Sequence, residues 1–123
     1  MKKLFISCPM RGRTPEAIKA SIEKMHKIAE ATVGEELEII PTYLEGAEYQ
    51  NRPIACLGES IKRMQEADYF AHIDDTWGFT GCEIETRVAR AYGIKTIIMP
   101  TLFVCHDIEE IVSKAVCAEI ASS

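Results

Sequence analysis

Residues 69–93, which join a strand to a helix, have the sequence YFAHIDDTWGFTGCEIETRVARAYG. The apolar run 69–73 has the length and residue types of a buried strand, and the residues from 74 to 79 form a loop. From Thr80 onward the apolar residues recur at helical spacing until Gly93. A strand that leads through a short loop into an amphipathic helix is half of a βαβ unit and predicts a parallel sheet.

The rest of the chain repeats this order of strand and helix. Further strands are predicted at residues 4–7, 37–40 and 95–99, and further helices at 15–33, from Pro53 onward and at 107–121. Thr14, Pro15 and Gly34 supply an N-cap, a first-turn proline and a stop for the first helix. The second helix is predicted to bury Ile54, Leu57, Ile61 and Met64. Strict alternation predicts an α/β fold whose sheet is covered by helices on both faces.

Length and composition restrict the classes of function. The 123 residues, 47% of them hydrophobic, suffice for one domain, residues 1–123. The net charge of -5 argues against a nucleic acid polymer as partner, but a small phosphorylated ligand remains possible. No apolar run reaches the length of a membrane span, and no secretory signal is recognisable. We therefore expect a cytoplasmic protein without membrane contact.

The cysteines predict neither a disulfide framework nor a metal site. They are five in number and scattered, without a C-x-x-C pair or zinc spacing: Cys8, Cys56, Cys82, Cys105 and Cys117. We expect no metal and no cofactor, and most of the thiols to be small reduced hydrophobes. Only Cys8 and Cys82 lie in a loop or helix start where a lowered thiol pKa is plausible.

Two glutamates near the start of the helix after residue 79 are candidates for chemistry. At about 100° per residue, Ile84, Val88 and Ala91 form one apolar stripe with a glutamate on each flank. Glu83 shares its side with two arginines, whereas Glu85 lies beside small or neutral side chains that leave it open to a ligand. Glu85 is the candidate catalytic carboxylate, and the alternative is that it only complements the positive end of the helix dipole.

Three loops should meet at the carboxyl ends of the strands, where parallel sheets bind their ligands. The first of them, residues 8–13, runs into a helix N-terminus, whose free N–H groups favour anions. Arg11 and Arg13 reinforce that preference. The alternative is that both arginines face solvent and Gly12 only makes the turn.

Two motifs resemble those of the nucleoside 2-deoxyribosyltransferase-like proteins. Residues 5–12, Phe-Ile-Ser-Cys-Pro-Met-Arg-Gly, resemble the first-strand motif Tyr-Ile-Ser-Gly-Pro-Met-x-Gly of a small uncharacterised branch of that superfamily. Gly81-Cys82-x-x-Glu85, followed by Ala89 and Gly93, resembles its Gly-Ser/Thr/Ala-x-x-Glu-x-x-x-Ala-x-x-x-Gly helix. The order of elements agrees from residue 3 to about residue 100.

The resemblance implies a flavodoxin-like or Rossmann-like three-layer sandwich with four to five parallel strands, assembled as a homo-oligomer. It implies cleavage or transfer at the N-glycosidic bond of a nucleoside or 5'-monophosphate, as in the deoxynucleoside monophosphate N-glycosidases. Glu85 would attack the anomeric carbon, and Asp74 or Asp75, which could equally form an ordinary turn, would protonate the departing base. The predicted sugar-phosphate cradle comprises Ser7, Cys8, Pro9, Met10, Arg11, Gly12, Arg13, Thr80 and Gly81. Trp77 is a candidate to stack on the base, or else to cap the core or an interface.

Several departures from the family pattern keep other functions open. The motif's tyrosine is Phe5, which cannot donate a hydrogen bond, a loop glycine is Cys8, and an aspartate of the catalytic relatives is Ser60. The alternatives are a non-catalytic nucleotide-binding protein that uses the same pocket and a purely structural oligomer. A phosphatase of the Cys-x5-Arg type is disfavoured, because four residues separate Cys8 from Arg13 and Pro9 lacks an N–H.

Overall fold

Four parallel strands form the centre of the fold, in the order β2-β1-β3-β4. The computed structural model describes residues 1–42, 52–74, 79–105 and 107. Its elements follow one another as β1 (Lys2–Ser7), α1 (Pro15–Val33), β2 (Leu37–Ile39), α2 (Pro53–Met64), β3 (Tyr69–Ile73), α3 (Thr80–Ala91), β4 (Lys95–Met99) and α4 (Thr101–Val104). The predicted alternation is confirmed, and the fold is a flavodoxin-like or Rossmann-like α/β sandwich.

Side-chain alternation along the strands builds one core on each face of the sheet. Leu4 and Ile6 of β1 and Ala71 of β3 point to the face covered by α1 and α4, where they join a cluster with Met25. The alternate residues of the same strands point to the face covered by α2 and α3, in a second cluster formed by Phe5, Ile40, Met64, Phe70 and Ala89. The sheet is therefore buried on both sides, as its apolar strands predict.

The ends of α1 confirm the predicted capping signals. Thr14 Oγ1 accepts a hydrogen bond from the Ala17 N–H at 3.1 Å, with Pro15 in the first turn. Gly34 closes the helix in the left-handed conformation at φ 78°, and its N–H bonds the Glu30 carbonyl at 2.9 Å. An N-cap side chain contributes about 1 kcal/mol to helix stability. Together with the stop at Gly34, it explains why both ends of the helix were predictable from the sequence.

One expectation about the elements is wrong, one helix was not expected, and one predicted helix is not tested. Ile54 was predicted to be buried, but it is 84% exposed, because residues 52–55 at the start of α2 are all exposed to solvent. The short helix α4 was not predicted. The predicted last helix at residues 107–121 lies outside the described residues, apart from Asp107.

The sheet order places a topological switch point between β1 and β3. From β1 the chain crosses to β2 on one side, and α2 then carries it back past β1 to β3 on the other. The loops after β1 and β3 consequently diverge and leave a crevice at the carboxyl ends of these two strands. Within the described ranges, no helix is long and apolar enough to cross a lipid bilayer.

Candidate active site

Glu85 lies on the face of α3 that packs against the sheet. The apolar stripe of Ile84, Val88 and Ala91 is not the most buried face of α3, since the first two are half-buried and Ala91 is exposed. The buried residues of the helix are Cys82, Glu85 and Ala89. The sheet beneath the helix carries large aromatic side chains, and α3 is rotated so that the small Ala89 is fully buried against them, with Val88 partly buried beside it. Glu85 is thereby drawn from the flank into the interior and retains only 9% of its exposure.

A hydrogen bond to β1 holds the Glu85 carboxylate. Ser7, the last residue of β1, donates its Oγ–H to Glu85 Oε1 at 2.9 Å, and the serine itself is 1% exposed. Burial raises the pKa of Glu85 to about 7, because the charged form loses its hydration, while the Ser7 hydrogen bond partly offsets this rise. Near neutral pH the carboxyl group thus exchanges between its protonated and ionised forms.

A cavity of about 380 Å³ opens above Glu85, within the range of about 300–1,000 Å³ that ligand pockets occupy. It lies at the switch point, where the loop after β1 meets the first turns of α2 and α3. Seven predicted site residues line it: Cys8, Pro9, Met10, Arg11, Thr80, Gly81 and Glu85. The lining residues that sequence reasoning did not assign to the site are Ile6, Thr42, Pro53, Cys56, Leu57, Ser60, Phe79 and Cys82.

The N-termini of α2 and α3 both border this cavity. Their N-cap positions, Arg52 and Phe79, supply no side-chain hydrogen bond to the described first turns. A side chain added at Gly81 would meet no atom within 4 Å, and Gly81 is not among the described glycines with positive φ. Neither packing nor backbone conformation therefore requires a glycine at this position. The absence of a side chain leaves the first turn of α3 accessible to a ligand.

Arg13, predicted in the cradle, lies behind the loop instead. Its side chain is 1% exposed, and the guanidinium forms a two-point contact with Asp107, Nε to Oδ2 at 2.7 Å and Nη2 to Oδ1 at 2.8 Å. Nη1 also donates to the Pro9 carbonyl at 2.8 Å and Nη2 to Ser21 Oγ at 2.6 Å. These bonds occupy the donor groups of Arg13, which consequently supports the cradle from the side away from the cavity.

Gly12 does not line the cavity either. Its φ of 78° and the 3.1 Å hydrogen bond from the Arg13 N–H to the Met10 carbonyl identify it as a residue of a tight turn. A left-handed conformation at this position favours glycine. Gly12 thus has the turn-making role that was one of the two sequence-based alternatives.

Asp74, one of the two predicted acids, is directed toward α4. Its Oδ1 accepts hydrogen bonds from the Thr101 N–H at 2.9 Å and from Thr101 Oγ1 at 2.5 Å. Asp74 does not line the cavity, so the structure does not bring it together with Glu85. Asp75 and Trp77 lie outside the described residues.

The Cys8 thiol borders the cavity but lacks the properties of a nucleophile. It is 5% exposed, and its hydrogen bond with Cys105 together with burial raises its pKa, so that it stays protonated. Arg13 contacts Cys8 at 3.5 Å from Nη1 but points its other donors elsewhere, so the two do not form the phosphate loop of a Cys-x5-Arg phosphatase. Within the described ranges, no three His, Cys, Asp or Glu side chains are grouped as metal ligands.

The comparisons with known proteins yield no relative. No protein-family model matches the chain, and neither a curated protein nor a solved structure resembles it significantly. What the site can do must therefore be argued from its own geometry and from the motifs in the sequence.

Proposed function

We propose that this protein cleaves or transfers the N-glycosidic bond of a nucleoside or nucleoside 5'-monophosphate, with Glu85 as nucleophile, as in the nucleoside 2-deoxyribosyltransferase-like proteins that its motifs resemble. One observation carries the proposal: a buried carboxylate, held by a hydrogen bond, faces a ligand-sized cavity at the switch point of an α/β sheet. Such cavities are the usual ligand sites of this fold class.

The chemistry requires Glu85 in its ionised form. Ser7 engages Oε1, which leaves Oε2 to attack the anomeric carbon as the bond to the base breaks. A carboxylate stabilises the oxocarbenium-like centre and forms a covalent glycosyl-enzyme, which water or a second base then resolves. Because burial strips water from the carboxylate, a cationic transition state is stabilised more strongly here than it would be in solvent.

Other groups that line the cavity suit a phosphate. Arg11 lies at its rim, and the first turn of α3, with Thr80 and Gly81, presents backbone N–H groups and the positive end of the helix dipole. In this proposal the sugar lies between these groups and Glu85. The base then packs against apolar residues of the lining, such as Leu57 and Met10.

The proton for the departing base requires a different donor from Asp74. Glu85 is the only carboxylate among the described residues that line the cavity, and Asp74 is bonded to Thr101. Asp75 therefore remains the proposed acid, from outside the described residues. Activity that survives in Asp75→Asn without any loss of rate would exclude this assignment.

A nucleotide-binding protein without catalysis is the second candidate. It is favoured by the same single carboxylate in the described lining and by Phe5, which is fully buried and stacked on Phe70 at 5.5 Å, where the family motif has tyrosine. This protein would bind nucleotides equally well with or without a charge at residue 85.

In either case we propose a cytoplasmic homo-oligomer, which sedimentation as a single-chain species would contradict.

Release of free base from a panel of nucleosides and 5'-monophosphates distinguishes the two candidates. We expect the wild type to release base from at least one substrate and Glu85→Gln to lose this activity by about 10³-fold or more, because the nucleophile is gone. Glu83→Gln is the matched control, since Glu83 is exposed on the same helical turn and lies outside the cavity. No release, with equal thermal stabilisation of both proteins by a nucleotide, would assign the cavity to binding alone.

A further inference from the structure

The contact between Ser7 and Glu85 joins groups 78 residues apart in sequence, inside the core. We propose that Ser7 is a positioning residue, whose hydroxyl orients the Glu85 carboxylate and stabilises its anionic form for attack. The catalytic part rests on the proposed function, whereas the effect on Glu85 itself does not. Ser7 was expected to bind the ligand directly, but it does not line the cavity.

The backbone of Ser7 is held by the sheet. Ser7 pairs with His72 in the parallel register of β1 and β3, and alternation places its side chain on the same face as Phe5, under α3. With the serine 1% exposed, water does not compete for the hydroxyl. The hydroxyl is consequently preorganised toward Oε1. No further free energy is needed to orient it when a substrate binds.

The other groups around Glu85 do not replace this donor. On α3, burial raises the pKa of the Cys82 thiol to about 12, and on the loop after β1 the Cys8 thiol also has a raised pKa, so both stay neutral. From α2, Cys56 and Ser60 line the same cavity. Arg11 is the one cation among the described lining residues, and it is exposed at the rim. Among these described groups, Ser7 is the one that hydrogen-bonds the carboxylate.

Loss of the hydroxyl should have two separate effects. The hydrogen bond that lowers the pKa of Glu85 would be lost, while the burial that raises it would remain. We expect the pKa to rise by roughly one pH unit, since the lost hydrogen bond is one to a charged group. The carboxylate would also lose its fixed orientation. In the enzyme this lowers kcat more than it changes KM, because Ser7 contacts the nucleophile and not the substrate.

The first test is independent of activity. Carboxyl resonances of the protein labelled at glutamate Cδ with carbon-13 are followed from pH 4 to pH 10, and Glu85 is assigned by its loss in Glu85→Gln. We expect a midpoint near 7 in the wild type, a midpoint roughly one pH unit higher in Ser7→Ala, and the wild-type value in Ser7→Thr. Ser7→Cys is the alternative variant if the core does not tolerate the added methyl of Ser7→Thr. Cysteine is similar in size to serine but is a weak donor, so Ser7→Cys should behave like Ser7→Ala.

Ser60→Ala is the matched control, because it removes a serine of the same cavity without touching this hydrogen bond. Its midpoint should stay within a few tenths of the wild-type value. A midpoint that does not move in Ser7→Ala, or that moves equally in Ser60→Ala, would overturn the role of Ser7.

The second test is the pH profile of base release. The acidic limb of kcat should move toward higher pH in Ser7→Ala by the same interval as the resonance and return in Ser7→Thr. An unshifted limb would reject the positioning role, although the hydrogen bond exists. A wild type that releases no base refutes the proposed function and the catalytic part together, while the resonance midpoints still decide whether Ser7 stabilises the anion.

Discussion

Glu85 is buried, and its ionised form is less stable there than in water. Its pKa of about 7 compares with a usual value of 4.5, and burial is the main cause. Below 4.5 the group is protonated in both the folded and the unfolded chain. Between 4.5 and 7 only the folded chain holds the proton, so the contribution of this group to stability falls as the pH rises and is lost above 7. A residue that destabilises the fold at working pH is typical of a functional site.

Glu85→Gln should therefore stabilise the protein in a pH-dependent way. The amide keeps the acceptor for Ser7 but cannot ionise, so we expect the variant to be more stable than the wild type by about 3 kcal/mol at pH 8 and nearly equal at pH 4.5. Urea unfolding at both pH values measures this, with Glu83→Gln as the exposed control. An equal difference at the two pH values would show that Glu85 does not titrate as described.

Single residues were predictable where a motif marked them, but their partners were not. The spacing of Gly81, Glu85 and Gly93 identified the carboxylate. Nothing local in the sequence indicates that Ser7 is its donor, because that contact depends on which helix covers the Ser7 side of β1. Ser60 likewise enters the cavity through the packing of α2 on α3.

At the scale of elements, the loop from β1 to α1 assigns different roles to two arginines. Arg11 is exposed at the cavity, whereas Arg13 is buried against Asp107 and fixes the loop from behind. Sequence alone could not separate them, because Asp107 lies 94 residues further along the chain. The turn at Gly12 lies between the two arginines.

Exchanging each arginine for glutamine should separate an effect on the stability of the protein from an effect on ligand binding. Arg13→Gln removes the buried two-point contact with Asp107 and the bonds to Pro9 and Ser21, and we expect a loss of about 3 kcal/mol in the free energy of unfolding. Arg11→Gln should leave stability nearly unchanged and weaken binding of a nucleoside 5'-monophosphate by about tenfold, with little effect on the unphosphorylated nucleoside. Urea unfolding and calorimetric titration measure both. The reverse pattern would restore Arg13 to the cradle.

Helix α3 illustrates what hydrophobic periodicity predicts and what it omits. The period located the helix, but not its rotation, because Ala89 and not the apolar stripe is the residue of α3 that is fully buried against the two phenylalanines, with Val88 only partly buried beside it. The same limit applies to Ile54, which continues the apolar stripe of α2 and yet is exposed at its first turn. Periodicity describes a helix face, whereas the partner surface decides which part of it is buried.

At the scale of the whole molecule, the fold followed from few rules. Alternating elements, apolar strands and right-handed crossovers predict a parallel sheet with helices on both faces, and the structure has it. The strand order then places the end of β1 beside the N-termini of α2 and α3. The site arises from that topology, which brings Ser7 and Arg11 together with Gly81 and Glu85 from two separate parts of the chain.

In the proposed reaction Glu85 becomes covalently bonded to the sugar. Mass spectrometry of acid-quenched protein, after reaction with a nucleoside substituted by fluorine at C2' to slow hydrolysis of the intermediate, tests this directly. We expect one added glycosyl group per chain, within the tryptic peptide of residues 64–87 and located at Glu85 by fragmentation, and none in Glu85→Gln. Base release by a wild type that carries no adduct, together with release that persists in Glu85→Gln, would contradict it.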